Sequence, residues 1–179
     1  MNTPNGYAQI NALFGNPANK DGSENKAWVS AHIELVKPPG DWKLYYQEEG
    51  RGLQPISGIQ MHVLLAPVFT AVLTEVWDYA AAQLQAPTIA DIQTWLHTNR
   101  LDQTGGGFNF RISTGNSAVL SLHSYGIAID WDPVHNPHHK PMIHTLPDWW
   151  YAIWARHGWS DGRHFATPDP MHVQFATGA

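Results

Sequence analysis

Two short stretches of the chain hold residue types that bind metal ions. The first reads SLHSYGIAIDWDPVHNP and places His123 and Asp130 seven residues apart, and the second reads PDPMHVQF and contains His172. Imidazole and carboxylate are suitable ligands for a catalytic zinc ion, which needs three protein ligands and one open position. The spacing therefore predicts that His123, Asp130 and His172 bind one zinc ion. From the pattern alone, hydrogen-bonded structural polar residues explain these side chains equally well.

The predicted strands give these residues a common direction. In YGIAIDW, alternation places Asp130 on the same face as the small Ala128, which leaves room for an ion. Gly126 allows the preceding segment to fold back so that His123 approaches the same point. In MHVQF, His172 shares one face with Gln174.

Two further side chains could take part in chemistry. Asp169 lies three residues before His172, between two prolines, where a carboxylate could act as a general base beside a metal. Its alternative role is that of a turn or strand-capping residue. Arg111 follows a run of three glycines and could bind a substrate carboxylate or a developing oxyanion. Its alternative role is a surface ion pair.

The composition limits the class of protein. The chain has 179 residues, 43% of them hydrophobic, which predicts one folded domain over residues 1–179 with a partly irregular segment at 1–27. The net charge of −5 and the absence of a basic cluster argue against a nucleic-acid partner. Cysteine is absent, which excludes disulfides and thiolate ligands. The apolar run from Ile59 to Leu73 is too short and too polar to predict a membrane span, and the N-terminus lacks the pattern of a secretory signal.

The order of the elements predicts an α+β fold, in which a small, mainly antiparallel sheet carries the zinc site and packs against helices from the N-terminal half. Helical periodicity lies within Ser57–Gln85, with Pro67 in its first turn or at a kink. A second helix follows Pro87, with Thr88 as its cap and Asp91 three residues later. The remaining predictions are a helix at Tyr7–Phe14, a strand within Ala27–Pro39, a flexible turn at Gly105–Gly107 and a short helix within Leu146–Gly158.

The motifs resemble a known family. The pattern S-x-H-x-x-G-x-A-x-D is met from Ser121 to Asp130, and D-P-M-H is met from Asp169 to His172. Together they resemble the zinc peptidases of peptidoglycan, which include D-alanyl-D-alanine carboxypeptidases, vancomycin-resistance dipeptidases and phage L-alanyl-D-glutamate endopeptidases. GGGFNFR before the motif and the Gly158-Trp159 pair resemble the phage endolysin-like branch.

The resemblance implies a role for each matched residue. It implies zinc ligation by the two histidines and Asp130, an acid/base role for Asp169, and substrate contacts from Arg111 and Ser121. Many relatives carry Glu at the position of Asp169. Many also read H-F-E where this chain has His172, Val173 and Gln174, a change expected to alter a neighbouring hydrogen bond rather than the metal site.

The function expected from the resemblance is hydrolysis of a peptide bond in the stem peptide of bacterial peptidoglycan, as an endolysin-type L-alanyl-D-glutamate endopeptidase. Alternatives are a D-alanyl-D-alanine carboxypeptidase or dipeptidase, and a zinc-stabilised wall-binding domain without activity. We expect a monomer that is made in the cytoplasm and reaches the cell wall after release, as a phage or prophage enzyme does. The four histidines between His135 and His144 are expected to lie in a solvated loop, with a second metal site or a cleft rim as alternatives.

Overall fold

The computed structural model describes all 179 residues, which form five α-helices and eight β-strands. The helices are α1 (Gly6–Phe14), α2 (Lys26–His32), α3 (Ala66–Ala82), α4 (Ile89–Thr98) and α5 (Asp148–Arg156). The strands are β1 (Ile33–Val36), β2 (Leu44–Tyr46), β3 (Gln54–Ile56), β4 (Ile59–His62), β5 (Gln103–Gly106), β6 (Ala128–Trp131), β7 (Ser160–Gly162) and β8 (Asp169–Gln174). Two short 3₁₀ helices span Val63–Leu65 and Leu122–Tyr125.

The strands form two sheets. A six-stranded sheet has the order β3-β2-β5-β6-β8-β7, and β1 pairs with β4 in a separate two-stranded sheet. Only the β2/β5 pair is parallel, and every other pair is antiparallel. The predicted α+β fold with a mainly antiparallel sheet is therefore confirmed, although the sheet has more strands than the sequence pattern indicated.

The pairing of β6 with β8 matters most for the site. Ala128 lies opposite Gln174, and Asp130 lies opposite His172. Residues directly opposite each other in an antiparallel pair have neighbouring side chains on the same face of the sheet. This register brings two segments that are about forty residues apart in the chain to one point.

Helix α3 lies at the centre of the hydrophobic core, a cluster of 31 buried residues. By length and composition alone, Val63–Ala82 could cross a membrane. One side of this helix, however, is buried. Its residues are each no more than 1% exposed, and they are Phe69, Val72, Leu73, Val76 and Ala80. These residues pack as the core helix of a folded protein does.

The local signals for helix boundaries hold in the structure. Pro67 lies in the first turn of α3, where its missing N–H costs no hydrogen bond. Thr88 and Asp91 form a reciprocal capping box at the start of α4. Gly158 follows α5 with φ of +84°, a conformation that favours glycine.

Three predicted elements need their bounds or their type corrected. The predicted strand within Ala27–Pro39 is present and begins at Ile33, because the Asn25 side chain accepts a hydrogen bond from the Trp28 N–H at 3.0 Å and starts α2. The predicted helix within Ser57–Gln85 is present as α3, and the first part of that range forms β4, whose backbone pairs with β1.

The glycine run is the third correction. Gly105 and Gly106 belong to β5, which pairs with β6, so this segment is a strand and not a flexible turn. A Cβ atom at Gly105 would lie 3.2 Å from the Asp130 Cβ, so the glycine permits a close approach of the two strands.

Candidate metal centre

Three side chains converge on one point beside the β6/β8 pair. The Nε2 atom of His123 lies 3.3 Å from Oδ1 of Asp130 and 3.2 Å from Nδ1 of His172. The Asp130 Oδ1 atom lies 3.0 Å from the same His172 nitrogen. The two histidines are buried, at 3% and 8% exposure. The structure therefore brings together the three residues that the sequence predicted as metal ligands.

The donor set fits a zinc ion. Two nitrogens and one oxygen are typical zinc ligands, and three protein ligands leave a fourth position open. Donors that lie about 2.0–2.2 Å from an ion at tetrahedral angles are about 3.3–3.6 Å apart. The observed distances of 3.0–3.3 Å lie at or just below the lower end of this range. No other group of three or more histidine, aspartate and glutamate side chains in the chain is close enough to hold a metal ion.

Local structure places His123 at this point. The Ser121 Oγ atom accepts a hydrogen bond from the His123 N–H at 3.3 Å and begins the 3₁₀ helix Leu122–Tyr125. Gly126 ends that helix in the left-handed region, with φ of +67°. A Cβ atom at Gly126 would lie 2.8 Å from the backbone nitrogen of His62. The predicted role of Gly126 as the residue that turns the chain back into β6 agrees with this geometry.

The outer nitrogens of both rings have hydrogen-bond acceptors. Nδ1 of His123 lies 2.7 Å from the Gly107 carbonyl oxygen, and Nε2 of His172 lies 3.0 Å from Oε1 of Gln174. Each ring can therefore donate its outer N–H to an oxygen while the inner nitrogen keeps its lone pair for a metal ion. Outer partners of this kind fix the tautomer and the orientation of metal-binding histidines.

The charges of the three residues stabilise one another in the metal-free protein. Burial by itself raises the pKa of Asp130, but the charges and hydrogen bonds of His123 and His172 outweigh burial and hold that pKa well below its usual range. Burial lowers the pKa of His172, yet the hydrogen bond and the charge of Asp130 raise it overall. Asp130 is therefore ionised, and it supplies the negative charge that a cation requires.

Asp169 lies beside this group and lines the same hollow of the surface as Asp130 and His172. It is the first residue of β8 and pairs with Gly162, where a Cβ atom would lie 2.3 Å from the Asp169 carbonyl oxygen. Asp169 begins a strand and does not form a turn, because the antiparallel pairing with β7 extends to this residue. Its Oδ1 atom is buried without a hydrogen-bond partner. Burial raises the pKa of this carboxyl, and the nearby Asp130 charge adds to the effect.

The backbone of Arg111 is hydrogen-bonded to the segment that carries His123. Its backbone N–H donates to the Ser124 Oγ atom at 2.8 Å, and Nη1 donates to Oγ1 of Thr114 at 3.3 Å. Arg111 forms no ion pair with any carboxylate of the chain. The alternative of a surface ion pair is therefore wrong for this residue, and its charge is available to a ligand.

Two hollows meet at the metal group. The larger hollow has a volume of about 580 Å³ and is lined by Ser121, Asp169, His172 and Gln174, among others. The smaller hollow has a volume of about 350 Å³ and is lined by Tyr46, the three consecutive glycines and His123, among others. Arg111 and Asp130 line both hollows. The metal group therefore borders both hollows.

The histidines between residues 135 and 144 do not build a second metal site. His135 is held by Asp132, with 2.7 Å between Nδ1 and Oδ1, and the His139 N–H donates to the Pro168 carbonyl. His138 lines the larger hollow, as the cleft-rim alternative states.

Two residues of the site were not identified as such from the sequence. Gly107 was interpreted as part of a flexible turn. No pattern in the local sequence indicates that its carbonyl oxygen accepts a hydrogen bond from the His123 ring. Gln174 was expected only to change a neighbouring hydrogen bond. The signal for its contact with His172 was its spacing, because residues two apart in a strand lie on the same face.

Comparison with known protein families gives one match. Residues 114–175 match the family described as D-alanyl-D-alanine carboxypeptidase. Comparisons with curated proteins and with solved structures gave no match. The matched segment contains His123, Asp130 and His172 together with Asp169. The resemblance predicted from the sequence is therefore confirmed over this segment, which carries the candidate metal centre and is similar to the D-alanyl-D-alanine carboxypeptidase family.

Proposed function

We propose that the protein is a zinc-dependent endopeptidase that hydrolyses a peptide bond in the stem peptide of bacterial peptidoglycan, with the L-alanyl-D-glutamate bond as the preferred site. The observation that carries the proposal is the position of the His123–Asp130–His172 group between two hollows. Arg111 and Asp130 line both of them.

The two hollows favour an endopeptidase over a carboxypeptidase. An enzyme that removes a terminal residue needs space for a chain on only one side of the scissile bond. An enzyme that cuts within a peptide needs space on both sides. With volumes of about 580 and 350 Å³, each hollow can take at least one amino-acid residue. A stem peptide can therefore cross the metal group with residues in each hollow.

His123, Asp130 and His172 hold the zinc ion in this proposal. A bound zinc ion lowers the pKa of water to about 7 and polarises a carbonyl group.

Asp169 is the residue that moves protons. Asp169 lines the larger hollow and its Oδ1 atom has no protein donor, so the carboxylate can accept a proton from water in the hollow and return it to the leaving amine. Burial raises the pKa of Asp169, which brings its basicity closer to neutral pH and makes it a better general base.

Arg111 and Ser121 bind the substrate. Arg111 is the only lysine or arginine that lines either hollow, so it is the cationic group available to a carboxylate or to a developing oxyanion. Ser121 lines the larger hollow, and its Oγ atom accepts from the His123 N–H. Its hydroxyl proton remains available to a substrate oxygen.

The second candidate is a D-alanyl-D-alanine carboxypeptidase, which the description of the matched family favours. Digestion of purified peptidoglycan followed by mass spectrometry separates the two functions. We expect fragments cut between L-alanine and D-glutamate, and a chelator should abolish their formation. Release of single D-alanine residues alone would assign the carboxypeptidase. Binding to peptidoglycan without any fragment in the presence of zinc would assign a non-catalytic wall-binding domain.

A further inference from the structure

We infer that Gln174 is a positioning residue, which holds the His172 ring so that Nδ1, and not Nε2, binds the metal ion. This inference rests on the zinc site of the proposed function. It concerns a position at which the chain departs from the H-F-E pattern of many relatives.

The orientation of the Gln174 amide follows from its neighbours. Its Nε2 atom lies 3.2 Å from the backbone carbonyl oxygen of Ala176, and its Oε1 atom lies 3.0 Å from Nε2 of His172. A carbonyl oxygen can only accept a hydrogen bond, so the NH₂ group of Gln174 must face Ala176. The amide oxygen must then face His172.

The amide oxygen in turn determines what the His172 ring can do. An amide oxygen only accepts, so Nε2 of His172 must carry the hydrogen in this contact. In a neutral ring the lone pair is then on Nδ1, and this atom is the one that lies 3.0 Å from Asp130 and 3.2 Å from His123. The hydrogen bonds from Gln174 to Ala176 and from His172 to Gln174 therefore leave the lone pair of His172 on Nδ1, which faces the other two ligands.

Asp130 acts in the opposite direction when no metal is bound. Its carboxylate favours a hydrogen on Nδ1 of His172, since these atoms are close enough for a hydrogen bond. A metal ion displaces a hydrogen from Nδ1 when it binds, and ligand deprotonation of this kind is general for metal sites. The Gln174 contact involves only Nε2 of His172, so the loss of a hydrogen from Nδ1 does not require the ring to rotate.

Burial makes Gln174 difficult to replace by water. The residue is 4% exposed and His172 is 8% exposed, so a lost acceptor leaves the outer N–H of the ring without a partner. The removal of an outer partner of a metal-binding histidine typically weakens metal binding by about 10–100-fold.

The experiment measures zinc affinity by competition with a chelator in three variants of the full chain. Gln174→Met keeps the volume and removes the acceptor, and it should bind zinc about 10–100-fold more weakly than the unaltered protein. Gln174→Glu keeps an acceptor oxygen and should bind more tightly than the methionine variant. Gln103→Met is the matched control, because Gln103 is a buried glutamine of the same sheet that bonds to Gln47 away from the metal group. Its zinc affinity should not change.

A spectroscopic measurement on the unaltered protein tests the assignment of the ring nitrogen directly. In protein loaded with cadmium-113 and labelled with nitrogen-15, the metal should couple to Nδ1 of His172, and Nε2 should carry a hydrogen. Coupling to Nε2 would overturn the inference, and so would unchanged zinc affinity in Gln174→Met. Neither measurement uses turnover, so a protein that binds zinc as described but cuts no peptidoglycan would contradict the proposed function alone. A protein that binds no metal would overturn both.

Discussion

Asp130 and His172 face each other directly across the antiparallel pair of β6 and β8, with 3.0 Å between Oδ1 and Nδ1. This cross-strand pair forms two-thirds of the candidate metal centre, and His123 completes it from a 3₁₀ helix. The register of the two strands fixes the relative position of these two ligands, because a shift by one residue would turn one of the two side chains to the other face of the sheet.

The first prediction concerns the ligands. His172→Ala should bind zinc at least about 100-fold more weakly, a loss no smaller than that caused by removal of an outer partner. His139→Ala is the matched control, since its ring lies in the exposed loop and contacts only the Pro141 carbonyl. Metal analysis after gel filtration measures both. A full equivalent of zinc in the His172 variant would show that the ion binds elsewhere.

The second prediction separates proton transfer from metal binding. Asp169→Asn keeps the shape of the side chain and removes its basicity, so we expect a full zinc equivalent and a turnover lower by at least about 100-fold. Asp169→Glu should retain part of the activity, because a longer carboxylate can still accept a proton. Zinc titration beside an assay on peptidoglycan measures both properties. Lost metal would make Asp169 a ligand, and undiminished turnover would remove it from the mechanism.

The third prediction concerns the single cation of the cleft. Arg111→Ala should keep its zinc and its fold and lose about 10²–10³-fold in turnover, the scale for one lost oxyanion donor. Arg111→Lys should have little more turnover than Arg111→Ala if the contact of the guanidinium with the substrate is bidentate. Arg51→Ala is the control, because Arg51 is an exposed arginine that pairs with Glu48. Turnover close to normal in Arg111→Ala would exclude a contact with the reacting groups.

The fourth prediction tests the glycine that supports His123. A Cβ atom at Gly107 would lie 2.4 Å from the Gln60 carbonyl oxygen and 2.8 Å from the Ile59 side chain. Gly107→Ala should therefore lower the free energy of unfolding by about 1–3 kcal/mol, as overpacking does. Gly52→Ala has open space around it and should change stability much less. Urea unfolding of the metal-free proteins compares them, and equal stability of the two variants would disprove the close packing at Gly107.

The fifth prediction concerns pH and a buried histidine that is not part of the metal group. Burial lowers the pKa of His62 from 6.5 to about 4, with a smaller contribution from the charge of His32. The unfolded chain therefore binds a proton more readily than the folded protein. The stability that His62 contributes is fully present above pH 6.5 and is lost as the pH falls towards 4.

The size of this effect follows from the same values. A difference of about 2.5 pKa units corresponds to about 3 kcal/mol at most. His62→Gln keeps a donor and an acceptor but does not titrate, so its stability should fall less than that of the unaltered protein between pH 6.5 and 4. Urea unfolding of metal-free protein at both pH values measures the difference. Parallel losses in the two proteins would show that the buried ring does not titrate in this range.

Local features were readable from the sequence because their physical causes are local. The capping box of Thr88 and Asp91 spans only four residues, and the ring of Pro67 limited this residue to the first turn or to a kink of its helix. Strand alternation placed His172 and Gln174 on one face. The motif and its resemblance to a family also predicted which three side chains would meet, before any distance was known.

Only the tertiary structure decided how these side chains meet. The register that sets Asp130 against His172 joins residues 42 positions apart, and the Gly107 carbonyl that orients His123 comes from a third segment. The glycine run had no local strand signal. Gly105 and Gly106 belong to β5 through its pairing with β6, where a Cβ atom at Gly105 would lie 3.2 Å from the Asp130 Cβ. The sequence of each segment alone does not favour these contacts. They stabilise the protein only when folding brings the segments together.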